Sequence, residues 1–282
     1  MAKATSGEIT LEYETFGDPA EDAVLLINGL GSQMTRWPAP FCALLVERGL
    51  YVVRFDNRDV GLSTWVEEGP SYSALDMAAD GGAVLDAIGK RAAHIVGISM
   101  GGMIGQEFAA AYPERTLSFT SIMSHSGNPG LPQPTPAAMD TLNSRPVDPS
   151  DPNFVADSVR RAQVIGSPAY PWPDGALAAR ARAEADRAFN PKGVARQMAA
   201  IRASGDRRAK LASIKAPTVV LHGADDPLVP VDGGRDTAAN IPGAELRVIE
   251  GMGHDLPPAL YTTFVDAIGR AVERSRAAAA GA

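Results

Sequence analysis

The chain has 282 residues, 45% of them hydrophobic, enough apolar material for a sizeable core in one large domain or one domain carrying an insert. A net charge of −7 and a pI near 5.2 repel phosphate backbones and anionic lipid, which argues against nucleic acid and membrane as partners. The single cysteine, Cys42, excludes an intrachain disulfide and a cysteine metal cluster, and its setting in PFCALLVE predicts a buried helix position.

The N-terminal stretch MAKATSGEITLEYE lacks the apolar core of a secretory signal. No apolar run of about 18 residues follows to span a bilayer, so a cytoplasmic setting is expected. Residues 8–16, EITLEYETF, alternate in polarity and predict an antiparallel edge strand. AVLLIN (23–28) and YVVRFD (51–56) are short apolar runs, as expected of strands buried on both faces. Between them Pro38–Arg48 reads as a helix with Phe41, Leu44 and Leu45 on one side. Tyr72–Ile88 follows as a second helix, although Gly81 and Gly82 each cost about 1 kcal/mol there relative to alanine. AHIVGI (93–98) is a strand that runs straight into a helix beginning at Met100, and LSFTSIM (117–123) is the next strand.

The rhythm then breaks. A strand–helix–strand crossover takes roughly 30 residues, yet 94 residues (124–217) separate Met123 from Thr218. Ten of the 22 prolines fall between positions 129 and 173. Two helical patterns follow, Ala176–Phe189 and Lys192–Ser204. Phe154, Tyr170, Trp172 and Phe189 argue against a disordered linker, which would be poor in aromatics. Residues 129–213 are therefore expected to form an inserted helical cap on proline-stiffened loops, between core segments 1–128 and 214–282. The remainder returns to alternation, with strands PTVVLHG (217–223) and AELRVIE (244–250), helices Val231–Ile241 and Leu256–Arg274, and a fraying RSRAAAAGA tail. Alternating strands and helices predict an α/β fold, a mostly parallel twisted sheet with helices on both faces.

Gly97-Ile98-Ser99-Met100-Gly101 sits where strand gives way to helix. A Gly-x-Ser-x-Gly pattern is weak alone, and its position is what gives it meaning. A sharp strand-to-helix turn strains the middle residue, and flanking side chains would collide, which accounts for the two glycines. The Ser99 hydroxyl then stands at the carboxyl end of the sheet, where open α/β sheets bind ligands, above a helix N-terminus that favours negative charge. A serine needs a base. His94 opens a buried strand and reads as structural. His222 ends a strand and reads as a supporting or packing residue. His125, after another strand, is a candidate pocket residue. His254, in EGMGHDLP, lies in a short glycine-flanked loop between the last strand and last helix, and is the candidate base. The base needs a carboxylate to set its tautomer. HGADDPLVP offers both Asp225 and Asp226 just beyond a strand, and either also suits a turn.

The order serine, acid, histidine is that of α/β-hydrolases, and the chain resembles an α/β-hydrolase with a cap over most of residues 8–128 and 214–275. TRWP, FDNRDVGLST, VGISMGG and EGMGHDLP are especially similar to bacterial methylesterases acting on aclacinomycin-type polyketides, and generic carboxylesterases share much of this. The resemblance aligns a Gly-x-x-Asp pattern with Gly223–Asp226 and so selects Asp226 as the acid. It implies an oxyanion hole made by the backbone N–H groups of Leu30 and Met100. Two departures stand out. Asn28-Gly29 replaces the usual His-Gly, and Asp59 occupies a place where glycine is usual. Arg58 beside it reads as a loop brace with neighbouring carboxylates, ahead of the alternative of a substrate contact.

The implied activity is a serine carboxylesterase acting on a small-molecule ester. Ser99 attacks, His254 relays the proton, Asp226 orients His254, and Trp172 and Tyr170 of the cap join His125 as candidate substrate contacts. This chemistry calls for no metal and no organic cofactor. Lactonase, thioesterase, carbon–carbon bond hydrolase and perhydrolase activities share the triad. A ligand receptor on a hydrolase scaffold is the alternative of a different class.

Overall fold

The computed structural model describes residues 2–67 and 71–281. Eight strands form one sheet: β1 (Ala2–Ser6), β2 (Ile9–Phe16), β3 (Ala23–Ile27), β4 (Tyr51–Phe55), β5 (Ala93–Ile98), β6 (Thr116–Ile122), β7 (Thr218–Gly223) and β8 (Glu245–Ile249). Their order is β1-β2-β4-β3-β5-β6-β7-β8. The β1–β2 and β2–β4 pairs are antiparallel and all the others parallel. This is the mostly parallel sheet expected from the alternation of elements. One expectation is corrected: β2 is antiparallel but lies one strand in from the edge, because β1 pairs along its whole length. AKATS buries only Ala4, so it carries no periodic apolar signal that would mark it as a strand.

The strands show why their unbroken apolar runs are needed. Leu25 and Ile27 of β3 join Val53 and Phe55 of β4 and Ile95 of β5 in a core on one face. Their neighbours Val24, Leu26, Val52 and Val96 join a second core on the other. Period-two alternation thus feeds two apolar layers at once. Helices α2 (Ala74–Ala87) and α3 (Met100–Ala111) cover the first face, and α1 (Ala39–Val46) and α10 (Tyr261–Ala280) the second. Ser73 and Asp76 form a reciprocal capping box that starts α2. Gly81 is tolerated within α2 because a β-carbon there would press to 3.2 Å from Leu25 and 3.7 Å from Phe108, so its cost in propensity offsets a close helix–sheet approach. Cys42 is fully buried in α1, and burial pushes its thiol up to about 12. Helix α10 runs through the alanine-rich stretch to Ala280. No helix among the described residues is long and apolar enough to cross a membrane.

Between β6 and β7 run α4 (Pro136–Asn143), α5 (Phe154–Ile165), α6 (Ala176–Arg187), α7 (Pro191–Ser204) and the short α8 (Arg208–Leu211). The sequence reading anticipated α6 and α7 and missed α4 and α5, which lie within the proline-rich stretch. Pro136 does not break α4. It occupies the first turn, where no N–H partner is lost, behind a Thr135 cap that accepts the Ala138 N–H. Phe154 of α5 meets Phe189 edge-on at 6.3 Å. Helix α9 (Asp232–Asn240) links β7 to β8.

Candidate active site

The turn from β5 into α3 leaves Ser99 at φ 55°, ψ −119°, a left-handed backbone unusual for a residue with a side chain. A β-carbon at Gly97 would lie 2.0 Å from the Gly101 carbonyl oxygen, and one at Gly101 would lie 2.1 Å from the Ile27 carbonyl oxygen. Both positions therefore exclude every larger residue. The Ser99 hydroxyl lies 3.0 Å from His254 Nε2, and His254 Nδ1 lies 2.7 Å from Asp226 Oδ2. The carboxylate can only accept, so the proton sits on Nδ1, and Nε2 accepts from the serine. His254 and Asp226 are 8% and 6% exposed.

Asp226 is itself held. Its Oδ1 accepts the backbone N–H groups of Leu228 and Val229 at 2.9 and 2.8 Å, which aims Oδ2 at the imidazole. Asp225 points elsewhere and accepts the Gly251 N–H at 2.8 Å, joining its loop to the one that carries His254. The same two loops are joined by the Asp225 N–H to the Met252 carbonyl at 3.0 Å. Of the two aspartates that the residues alone left open, Asp226 is the one that faces the histidine.

The insert grips the histidine loop. The His254 N–H donates to the Ile165 carbonyl at 2.6 Å, and the Gly253 N–H donates to Ser167 Oγ at 2.9 Å. The Ser167 hydroxyl and Trp172 Nε1 donate to the two oxygens of Asp255 at 2.5 and 2.7 Å. Burial pushes the Asp255 carboxyl above its ordinary range against the pull of these donors. Loop 28–31 passes over the nucleophile, with a β-carbon at Gly29 placed 3.3 Å from Ser99 Cβ. Gly29, the neighbour of Leu30, therefore lies against the nucleophile. Asn28 serves as a brace where a histidine is usual: its Nδ2 donates to the Phe55 carbonyl and its carbonyl accepts from Asn57 Nδ2, both at 3.1 Å.

Of the other histidines, only His222 approaches the relay. His94 is buried with Nδ1 2.8 Å from Ser118 Oγ, and burial lowers it to about 4. His222 Nε2 donates to the Val229 carbonyl at 2.7 Å and lies 3.6 Å from Asp226 Oδ2. His125 accepts the Gly127 N–H on Nδ1 and lines a cavity of about 190 Å³ with Asn128, Leu131 and Val229. Trp172 lines a second cavity of about 540 Å³ with Leu177, Pro227 and Asp255, whereas Tyr170 packs against the core layer of α1 and α10. Neither Ser99 nor His254 lines either cavity. Arg58 braces its loop by pairing with buried Asp80 at 2.6 Å.

Asp59 has a role the sequence did not disclose. It adopts φ 71° fully buried and accepts Tyr72 Oη at 2.8 Å, the Val66 N–H at 2.8 Å, and Nε and Nη2 of Arg196 on α7 at 2.8 and 2.6 Å. Burial works against its charge, and the Arg196, Val66 and Tyr72 donors outweigh it and hold the carboxyl below its ordinary range. Among the described residues no group of three His, Cys, Asp or Glu is placed to hold a metal ion.

A family model described as the alpha/beta hydrolase fold matches residues 22–257. Rhodomycin D methylesterase of Streptomyces peucetius is 32% identical, over 94% of this chain and 95% of that protein. A putative carbamate hydrolase of Variovorax paradoxus is 30% identical, over 86% of this chain and 89% of that protein. The crystal structure of an enol-lactonase from Burkholderia xenovorans superposes with a TM-score of 0.74 at 21% identity, covering 96% of this chain and 100% of that one, a likeness of fold.

Proposed function

The chain belongs to the alpha/beta hydrolase family, and from that membership we propose that it is a serine esterase whose nucleophile, base and acid are Ser99, His254 and Asp226. The observation that carries the proposal is the continuous relay from Ser99 Oγ through His254 to Asp226, at 3.0 and 2.7 Å, with the serine on a strained elbow. As Ser99 Oγ bonds to the ester carbonyl carbon, its proton passes to His254 Nε2, and Asp226 Oδ2 stabilises the imidazolium. The carbonyl oxygen becomes an oxyanion held by the N–H groups of Leu30 and Met100. Collapse breaks the carbon–oxygen bond of the leaving alcohol, which takes the proton from Nε2. Water then attacks the acyl-enzyme with its proton drawn to Nε2, and the acid leaves as Ser99 recovers its hydrogen. No cofactor enters this scheme.

Residues 129–213 act as the cap in this reading, supported by the grip of Ile165 and Ser167 on the His254 loop. Trp172, beside Asp255, is assigned to the acyl- or alcohol-binding wall. Tyr170 packs on the core layer of α1 and α10 and His125 lines the separate 190 Å³ cavity, so neither joins Trp172 on that wall. The 32% identity to rhodomycin D methylesterase over 94% of the chain favours a methyl ester as the substrate class. A panel of p-nitrophenyl esters, aromatic methyl esters, lactones and carbamates tests this reading. Ester turnover that is lost in Ser99→Ala, with the variant still folded, is the expected result. Turnover of lactones or carbamates alone would replace the ester assignment, and full activity in Ser99→Ala would overturn the nucleophile.

A further inference from the structure

Loop 28–31, which carries the proposed oxyanion donor Leu30, is a tight turn. The Ser32 N–H donates to the Gly29 carbonyl at 3.2 Å, placing Leu30 and Gly31 at its two corners, with Gly31 at φ 62°. The soft motion of such a turn is rotation of its central peptide, Leu30–Gly31, and a glycine at the second corner permits either setting. That peptide carries the Gly31 N–H and adjoins the Gly29–Leu30 peptide, whose N–H is the proposed donor, so a loose turn leaves the donor poorly fixed.

Helix α7 of the insert removes that freedom. Gln197 is fully buried, 166 residues away in sequence, and its Oε1 accepts the Gly31 N–H at 2.8 Å. Its Nε2 donates to the Arg58 carbonyl at 2.9 Å. The two partners demand opposite ends of one amide, so only one setting of Gln197 satisfies both. Val194, one turn earlier on α7, presses on the same spot: a β-carbon at Gly31 would lie 2.9 Å from Val194 Cγ2. Gly193 packs on the second loop, where a β-carbon would lie 2.3 Å from the Asp59 carbonyl oxygen.

On the esterase reading above, we propose that Gln197 is a positioning residue for the oxyanion hole, anchoring the turn through the Gly31 N–H so that the adjoining Gly29–Leu30 peptide keeps its N–H toward the developing oxyanion. Gln197 touches no substrate and acts through the turn. Removing an oxyanion donor outright costs about 10²–10³ in kcat, so loosening one costs about 10–100-fold.

The test compares wild type with Gln197→Met, close in size and unable to bond either partner, and with Arg196→Met. The latter breaks the neighbouring tie of α7 to Asp59 and leaves Gly31 alone. Three quantities are read on the full chain: kcat and KM for a p-nitrophenyl ester, affinity for a trifluoromethyl ketone whose serine adduct bears an oxyanion, and amide hydrogen exchange in a peptide spanning residues 28–33. Gln197→Met is expected to lose about 10–100-fold in kcat and in trifluoromethyl ketone affinity together, to change KM by less than about threefold, and to speed exchange at Gly31 at least about tenfold. Arg196→Met is expected to do none of these at a comparable loss of melting temperature. Unchanged exchange in Gln197→Met, unchanged kcat despite faster exchange, or equal effects from Arg196→Met would each overturn the assignment. A wild-type protein inert on esters would instead overturn the esterase reading itself.

Discussion

Replacing Asp226 with asparagine changes one atom, and the geometry dictates which way the new amide must face. Oδ1 accepts two backbone N–H groups, from Leu228 and Val229, so the amide oxygen stays there. Turning it around would set an NH₂ against both donors and forfeit two hydrogen bonds, each worth about 1 kcal/mol net and more when left unmade in a buried site. The NH₂ is therefore delivered to the position 2.7 Å from His254 Nδ1. It can only donate, so Nδ1 must be bare and the proton moves to Nε2, facing Ser99. A base whose accepting nitrogen is already protonated cannot take the serine proton. His222 offers no rescue, because its Nε2–H is committed to the Val229 carbonyl. The loss expected in kcat is about 10³–10⁴, equal to about 4–5.5 kcal/mol of barrier, in line with the same exchange in a serine protease triad. The assay is steady-state hydrolysis of a p-nitrophenyl ester alongside thermal melts. Asp225→Asn, whose remaining oxygen still accepts the Gly251 N–H, should stay within about threefold of wild type. An Asp226→Asn variant within tenfold of wild type, or an Asp225→Asn variant that is the worse of the two, would refute the reasoning.

Gly97→Ala places a methyl 2.0 Å from the Gly101 carbonyl; ester turnover should vanish and melting fall by about 5–10 °C, and an unchanged melt would contradict the packing at the elbow. Trp172→Ala should shift KM or relative rates along an ester series while acetate turnover is largely kept, since Trp172 lines the 540 Å³ cavity rather than the relay; a uniform fall across the series would remove it from the substrate wall. Buried His94 is held at about 4 against about 6.5 in the unfolded chain, so its contribution is complete above pH 6.5 and drains away as pH falls toward 4. Urea unfolding at pH 7 and pH 5 should show about 2 kcal/mol of that loss disappearing in His94→Gln, and an unaltered pH dependence would show that His94 is not desolvated as described.

What the sequence made legible is what the backbone itself imposes. Ser99 follows β5, Asp226 follows β7 and His254 follows β8, so three reading frames of short apolar strands place all three side chains at one end of the sheet. The glycines around them were equally readable, because a missing β-carbon at Gly97 or Gly101 has one dominant cause, close backbone approach. Less was legible where a local pattern had to compete with composition. The prolines that argued for loops before residue 173 concealed α4, although Pro136 sits where a helix accepts proline without cost. Strand β1 was missed because AKATS buries a single residue and is a strand only by pairing with β2.

The contacts that shape the site are illegible for a different reason. Gln197 meets Gly31, Arg196 meets Asp59, and Ser167 meets Asp255 across separations of 166, 137 and 88 residues. No period or spacing in one sequence links such positions. Only Asp59 left a trace, as a carboxylate where the pattern the chain resembles usually has glycine, and its meaning waited on the fold. A buried carboxylate with no cation would have to be neutral or destabilising. The bidentate fork of Arg196 supplies that cation and in doing so ties α7 to the 56–66 loop. The substitution and the clamp are therefore one feature. Asp59 is fully buried and Arg196 only partly, so replacing Arg196 alone would strand the carboxylate, and a chain losing the fork would have to change Asp59 as well. Breaking one side of such a pair costs about 3–5 kcal/mol, whereas exchanging both sides together costs far less. A double variant, Asp59→Gly with Arg196→Met, should accordingly unfold at a higher temperature than Arg196→Met alone. Additive losses in melting temperature would show that the two residues do not depend on each other.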